Sequence, residues 1–154
     1  MTAMIAGAGL TLATAASAAT IGAPGSASAA VPNANNQMCG NAVAAGNAAV
    51  QGVSITASLY DSSGAVVFGP QSTDTDAAGA WCITGNSTLA NTVLNGGHVE
   101  LCATPMAVDG KSANFLGSGT NCADLDKDAF QDHLYTSVIP LILASADGLD
   151  VTYS

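Results

Sequence analysis

Gly52-Val53-Ser54-Ile55-Thr56-Ala57-Ser58-Leu59-Tyr60, closed by Asp61-Ser62-Ser63-Gly64, is the stretch whose pattern decides the fold. Val53, Ile55, Ala57 and Leu59 share one parity, and Ser54, Thr56, Ser58 and Tyr60 share the other. Successive side chains of an extended chain point to opposite faces, so this alternation describes a half-buried strand of an antiparallel sheet. Asp at the first and Gly at the last position make residues 61–64 a turn. Residues 65–68 form the returning strand, and Gly69-Pro70 breaks it. The same Asp-x-x-Gly arrangement recurs at Asp76-Ala77-Ala78-Gly79, between a polar strand at 71–75 and another strand at 80–84. Two such turns between short alternating runs read as a β-meander.

Outward from this centre, residues 85–97 read as a loop or short helical turn around Leu89-Ala90-Asn91-Thr92-Val93-Leu94, followed by a strand at 98–103. Residues 104–121 are rich in turn formers around a short strand at 113–116, and residues 123–133 suit a helical turn or two. Two apolar strands, at 134–144 and 149–153, end the chain, with Pro140 demoting the first to an edge or bulged position. The expected fold is all-β, an antiparallel immunoglobulin-like or transthyretin-like β-sandwich of about seven strands with two disulfides.

Three segments are expected: a signal peptide or apolar leader at 1–30, an Ala/Gly/Asn-rich N-terminal segment at 31–50, and a β-sandwich domain at 51–154. The leader is uncharged, and it ends in Ala27-Ser28-Ala29, a small-x-small pattern suited to cleavage after Ala29 or Ala30. A membrane anchor or a low-complexity linker is the competing reading of the same residues.

Of 154 residues, 11 are Asp or Glu and 2 are Lys or Arg, giving a formal charge of −9. Both cations are lysines, Lys111 and Lys127, and no charge occurs before Asp61. Such a chain is repelled by nucleic acid and by anionic membrane surfaces, so neither is expected as a partner. A hydrophobic content of 49% also excludes a disordered acidic tail.

The four cysteines, Cys39, Cys82, Cys102 and Cys122, contain no Cys-x-x-Cys pair, which argues for two disulfides in an oxidising compartment rather than a zinc site. Strand parity places Cys82 and Cys102 on outer faces, opposite Trp81 and Ile83 in one strand and Val99, Leu101 and Ala103 in the other. They can bond each other, or each can tether a flanking segment. Tethering, Cys39 with Cys82 and Cys102 with Cys122, is favoured over Cys82 with Cys102 and Cys39 with Cys122. Closing a loop of about 20 residues or more restricts the unfolded chain by ~3 kcal/mol. The cross-strand alternative stays open at this point.

Residues 57–67 and 73–83, with their strand, Asp-x-x-Gly turn, paired valines and second Thr-Asp-x-x-Gly-x-aromatic turn, resemble the opening of transthyretin-like, carboxypeptidase-regulatory-like and CnaB-type modules of secreted and surface proteins. The resemblance covers about thirty residues and implies a β-sandwich. The lysine that a CnaB-type isopeptide bond requires is absent from residues 53–59. In composition, acidity and paired cysteines the chain is also similar to small secreted chromophore carriers of the neocarzinostatin type.

No catalytic residues are expected. There is no Gly-x-Ser-x-Gly elbow, and neither His98 nor His133 sits in a general-base signature. Asp124, Asp126 and Asp128 alternate, with Asp132 four residues on, and such carboxylates can converge on Ca²⁺, a hard cation that takes oxygen ligands. Ala129 and Tyr135 stand where an EF-hand loop needs Gly and Glu, so the competing reading is a solvated acidic turn with Lys127 as partial counter-charge. His98 and Glu100, two apart on one strand face, are a second metal candidate against a solvated outer face. Asn86-Ser87-Thr88 has the form of a glycosylation acceptor.

The function expected from these features is a non-enzymatic secreted or cell-surface protein with a structural, adhesive or interaction role. Its partner would be a protein, a cell-surface polymer or another copy of itself. A secreted small-ligand carrier and a secreted hydrolase are the alternatives.

Overall fold

The computed structural model describes residues 18–154, so residues 1–17 of the expected leader lie outside the described residues. The alternating stretch is β4 (Ser54–Tyr60), with Ile55, Ala57 and Leu59 buried. Across the Asp61 turn it pairs with β5 (Val66–Asp74), and on its other side with β7 (His98–Thr104). β10 (Cys122–Leu125) adds to β7 and completes a four-stranded sheet, order β10-β7-β4-β5, antiparallel throughout. The two Asp turns are built alike. Asp61 Oδ1 accepts from the amides of Ser63 and Ala65 at 2.9 and 3.0 Å, and Asp76 Oδ1 from those of Ala78 and Ala80, both at 2.9 Å. The Ser63 hydroxyl, followed by the Ala65 amide, holds the Asp61 carboxyl below its ordinary pKa.

The second sheet has nine strands, and its hub is β2 (Gln37–Ala44), in the segment expected to lie outside the sandwich. β2 pairs antiparallel with β6 (Ala80–Thr84) and β3 (Ala48–Gln51). It pairs parallel with β12 (Leu141–Ala146) at Met38 and Ala146, and with β13 (Val151–Tyr153) from Ala42 to Ala44. β11 (Leu134–Val138) lies beyond β12, while β9 (Lys111–Phe115) and β8 (Ala107–Val108) lie beyond β13. Among the described residues, thirteen strands and two parallel pairings therefore replace the expected antiparallel set of about seven. β2 escaped detection because seven of its eight residues are buried, so no polar face marks it. Gly40 fits because a Cβ there would run into the Leu149 backbone.

β1 (Thr20–Ile21) pairs with β3, and the chain after it stays bonded to the fold. The Ala49 amide donates to Ser26 Oγ at 2.9 Å, Asn41 Nδ2 donates to the Ser28 carbonyl at 2.7 Å, and the Ala30 amide donates to Asn41 Oδ1 at 3.0 Å. Cleavage after Ala29 or Ala30 would remove this strand with the leader.

The sheets share one apolar core, in which Met38, Ile55, Leu59, Leu101, Phe115, Leu125 and Tyr153 are fully buried and Trp81 meets Phe115 edge to face at 6.3 Å. Two short helices, α1 (Leu89–Leu94) and α2 (Lys127–Asp132), bury Leu89, Val93 and Phe130. Cys39 is bonded to Cys82 and Cys102 to Cys122, each pair directly opposite in register with Cα atoms 4.1 Å apart. Both bonds thus join neighbouring strands, and the flanking segments thought to need tethering are themselves strands of the sheets.

Candidate functional site

The β11–β12 hairpin, residues 134–146, contains no charged residue, and Asp132 and Asp147 bracket it. Its sequence, Leu134-Tyr135-Thr136-Ser137-Val138-Ile139-Pro140-Leu141-Ile142-Leu143-Ala144-Ser145-Ala146, is apolar enough to belong in a core. The structure buries only Ile142, Ser145 and Ala146 of it, whereas Val138 is 83% exposed, Ile139 89%, Leu141 64%, Leu134 50% and Leu143 48%. Large aliphatic side chains gathered on one exposed face mark an interaction surface, since water disfavours them there.

The hairpin's shape is set by a bulge. Tyr135 faces Ser145 and Ser137 faces Ile142, so two steps on β11 match three on β12. The extra residue lies on β12, where Ala144 has a φ of 57°. Residues 34–37 anchor that strand: the Leu143 amide donates to Asn35 Oδ1 at 2.8 Å, the Ser145 hydroxyl to the Ala34 carbonyl at 2.9 Å, and the Gln37 amide to Ser145 Oγ at 3.0 Å. β11 remains regular, and among the described residues it pairs with β12 alone.

The acidic stretch is divided by the fold. Asp124 lies on the outer face of β10, directly opposite Glu100 of β7. Asp126 is the N-cap of α2, its Oδ1 accepting from the Ala129 amide at 3.0 Å. Asp128 stands in the first turn and Asp132 ends the helix. Among the described residues no group of three or more His, Cys, Asp and Glu side chains is placed to hold a metal ion. His98, paired with Glu100 in the sequence reading, stacks on Tyr60 with ring centroids 5.0 Å apart. His133 follows α2, with Nδ1 3.0 Å from the Asp147 carbonyl. Asn86 forms a turn into α1, its Oδ1 accepting from the Thr88 amide and hydroxyl at 3.1 and 2.7 Å.

A cavity of about 720 Å³ opens at another rim of the fold, lined by Gly52, Ser54, Asp74, Thr104, Pro105 and Val108 among others.

The apolar face of the hairpin was not anticipated as a surface. Its signal in the sequence is an uncharged, aliphatic-rich run between Asp132 and Asp147. Comparison with protein-family models, with curated proteins and with solved structures finds no match to this chain.

Proposed function

We propose that this chain is a secreted or cell-surface protein with a non-catalytic structural, adhesive or interaction role. The observation that carries the reading is the uncharged hairpin face of Leu134, Val138, Ile139, Leu141 and Leu143 at the edge of the larger sheet. An exposed aliphatic face of this kind is costly to leave in water and is characteristic of a surface that meets a partner. Two disulfides suit an oxidising, extracellular environment, and among the described residues no helix is long and apolar enough to cross a membrane. The apposition of two sheets over one core is compatible with an elaborated immunoglobulin-like or transthyretin-like sandwich, the finer form of the fold reading.

The test exposes the purified, disulfide-intact protein to insoluble cell-wall polymer and, separately, to a panel of ester, peptide and glycoside substrates. Retention on the polymer, or specific self-association, without turnover is the expected result. Turnover would replace the reading with the hydrolase alternative.

A small-ligand carrier is a second reading, favoured by the cavity beside Ser54, Asp74 and Thr104, whose volume is in the range of ligand sites. Native mass spectrometry of protein from its own source distinguishes it through a retained small molecule.

A further inference from the structure

We infer that β11 is a self-pairing edge, through which two copies of this chain join by antiparallel strands centred on Thr136. The inference deepens the interaction reading above by naming the partner as a second copy.

β11 is at the end of the nine-stranded sheet, and among the described residues its far side has no backbone partner. Edge strands are normally protected by an inward charge, a lysine, a proline or a bulge. β11, Leu134-Tyr135-Thr136-Ser137-Val138, contains neither charge nor proline, and the hairpin's bulge is on β12. A regular, uncharged edge of five residues is a template for another strand.

The register follows from the exposed face. Antiparallel pairing about Thr136 sets Leu134 opposite Val138 of the second copy, twice, and Thr136 opposite its own counterpart. Cross-strand aliphatic and Thr–Thr pairs are favourable neighbours. Centring on Ser137 would bring Pro140 into the ladder, and centring on Tyr135 would bring Asp132 against Val138 of the second copy. Thr136 alone uses all five residues.

Charge selects the same arrangement. Two bodies of formal charge −9 repel, and the hairpin is one surface on which they can approach without meeting carboxylates. In antiparallel pairing each Asp132 lies beyond Leu134 at opposite ends of the joined strands. The two are separated by more than the ~17 Å length of a five-residue strand, well past the ~8 Å screening length at physiological salt. Parallel pairing would stack them.

The area suits a weak dimer. Pairing along the edge sets Leu134 and Val138 beside the second copy, while Leu141 and Leu143 lie one strand further back on β12, so the join buries well under the ~1,000 Å² of a standard specific interface and the dimer is of the weak, concentration-dependent class.

The test is sedimentation velocity of the disulfide-intact chain from low micromolar to about 1 mM, with Val138→Glu and Thr136→Cys beside it. A concentration-dependent dimer is expected, with Val138→Glu weakening it at least tenfold while leaving the monomer's melting temperature unchanged. Thr136→Cys should cross-link on oxidation, whereas Ser62→Cys, on a distant turn, should not. A monomer throughout the range overturns self-pairing but leaves the wider interaction reading to the polymer experiment. A dimer indifferent to Val138→Glu and not cross-linked through position 136 overturns the inference, because its interface lies elsewhere. A monomer that floats with phosphatidylcholine vesicles, and ceases to do so in Val138→Glu, overturns it in favour of a lipid surface.

Discussion

Glu100 on β7 and Asp124 on β10 stand directly opposite one another on the outer face of the four-stranded sheet, two residues along the ladder from the Cys102–Cys122 bond. Like charges in this relation destabilise a strand pair by a few tenths of a kcal/mol to about 1 kcal/mol. Glu100→Gln is therefore expected to raise the melting temperature at low salt, by a margin that shrinks as salt screens the pair. Thermal denaturation of both chains at low and high ionic strength checks this, and equal melting temperatures at low salt would mean that the carboxylates swing apart.

The disulfides differ in the loop they close, with separations of 43 residues for Cys39–Cys82 and 20 for Cys102–Cys122. On chain entropy alone their removal by paired Ala substitution costs ~4 and ~3 kcal/mol. Cys39 is fully buried on the hub strand, so the cavity left there widens the difference. Urea titration of the two double variants orders them, and a greater loss from Cys102/Cys122 would contradict it.

Tyr153 gives the protein an alkaline limit. Its ring is buried, its hydroxyl donates to the Pro105 carbonyl at 2.8 Å, and burial pushes its pKa up to about 12 from 10. The folded state holds the phenol proton more tightly than the unfolded chain does. That contribution is complete below pH 10 and is lost as pH rises toward 12. Stability should fall through this window, and Tyr153→Phe should flatten the fall while losing about 1 kcal/mol at neutral pH with the hydrogen bond. Melting temperatures from pH 8 upward make the comparison.

Asp126 is assigned a capping role by its bond to the Ala129 amide. Asp126→Ala should cost about 1 kcal/mol and Asp126→Asn much less, because Asn caps as well as Asp does. Millimolar Ca²⁺ should leave the wild-type melting temperature where it is. A calcium-dependent rise abolished by Asp126→Ala would instead make the acidic stretch a metal site.

The residues after β1 make the position of processing measurable. A chain beginning at Val31 lacks β1 and the bonds to Ala49 and Asn41, several hydrogen bonds worth ~1 kcal/mol each. It should unfold on the order of 2–4 kcal/mol more easily than a chain beginning at Ala18. Equal stability of the two would show that β1 contributes nothing to the fold.

Much of the four-stranded sheet was legible because it has two unlike faces. β4 alternates buried and outward side chains, and the Asp61 and Asp76 turns close through bonds within five residues of each carboxylate. β2 was illegible for the opposite reason, being buried on both sides and made of small residues that match neither period. The acidic stretch is divided because its spacing is even while its backbone is not. The strand ends at Leu125 and the helix begins at Lys127, which turns Asp126 to the helix amides and leaves Asp124 facing Glu100.

By itself, then, the sequence determined the all-β class, the Asp-x-x-Gly turns and the parity that puts Cys82 and Cys102 on one face of their strands. These follow from chain geometry within a few residues. Only the tertiary structure decided that Cys39 stands opposite Cys82 and Cys122 opposite Cys102, and that β12 and β13 run parallel to β2. It also decided that the aliphatic face of the hairpin is left outside. Local pattern dictates where a side chain points, but what covers it depends on segments that can lie more than a hundred residues away, whose approach is governed by the packing of the whole core.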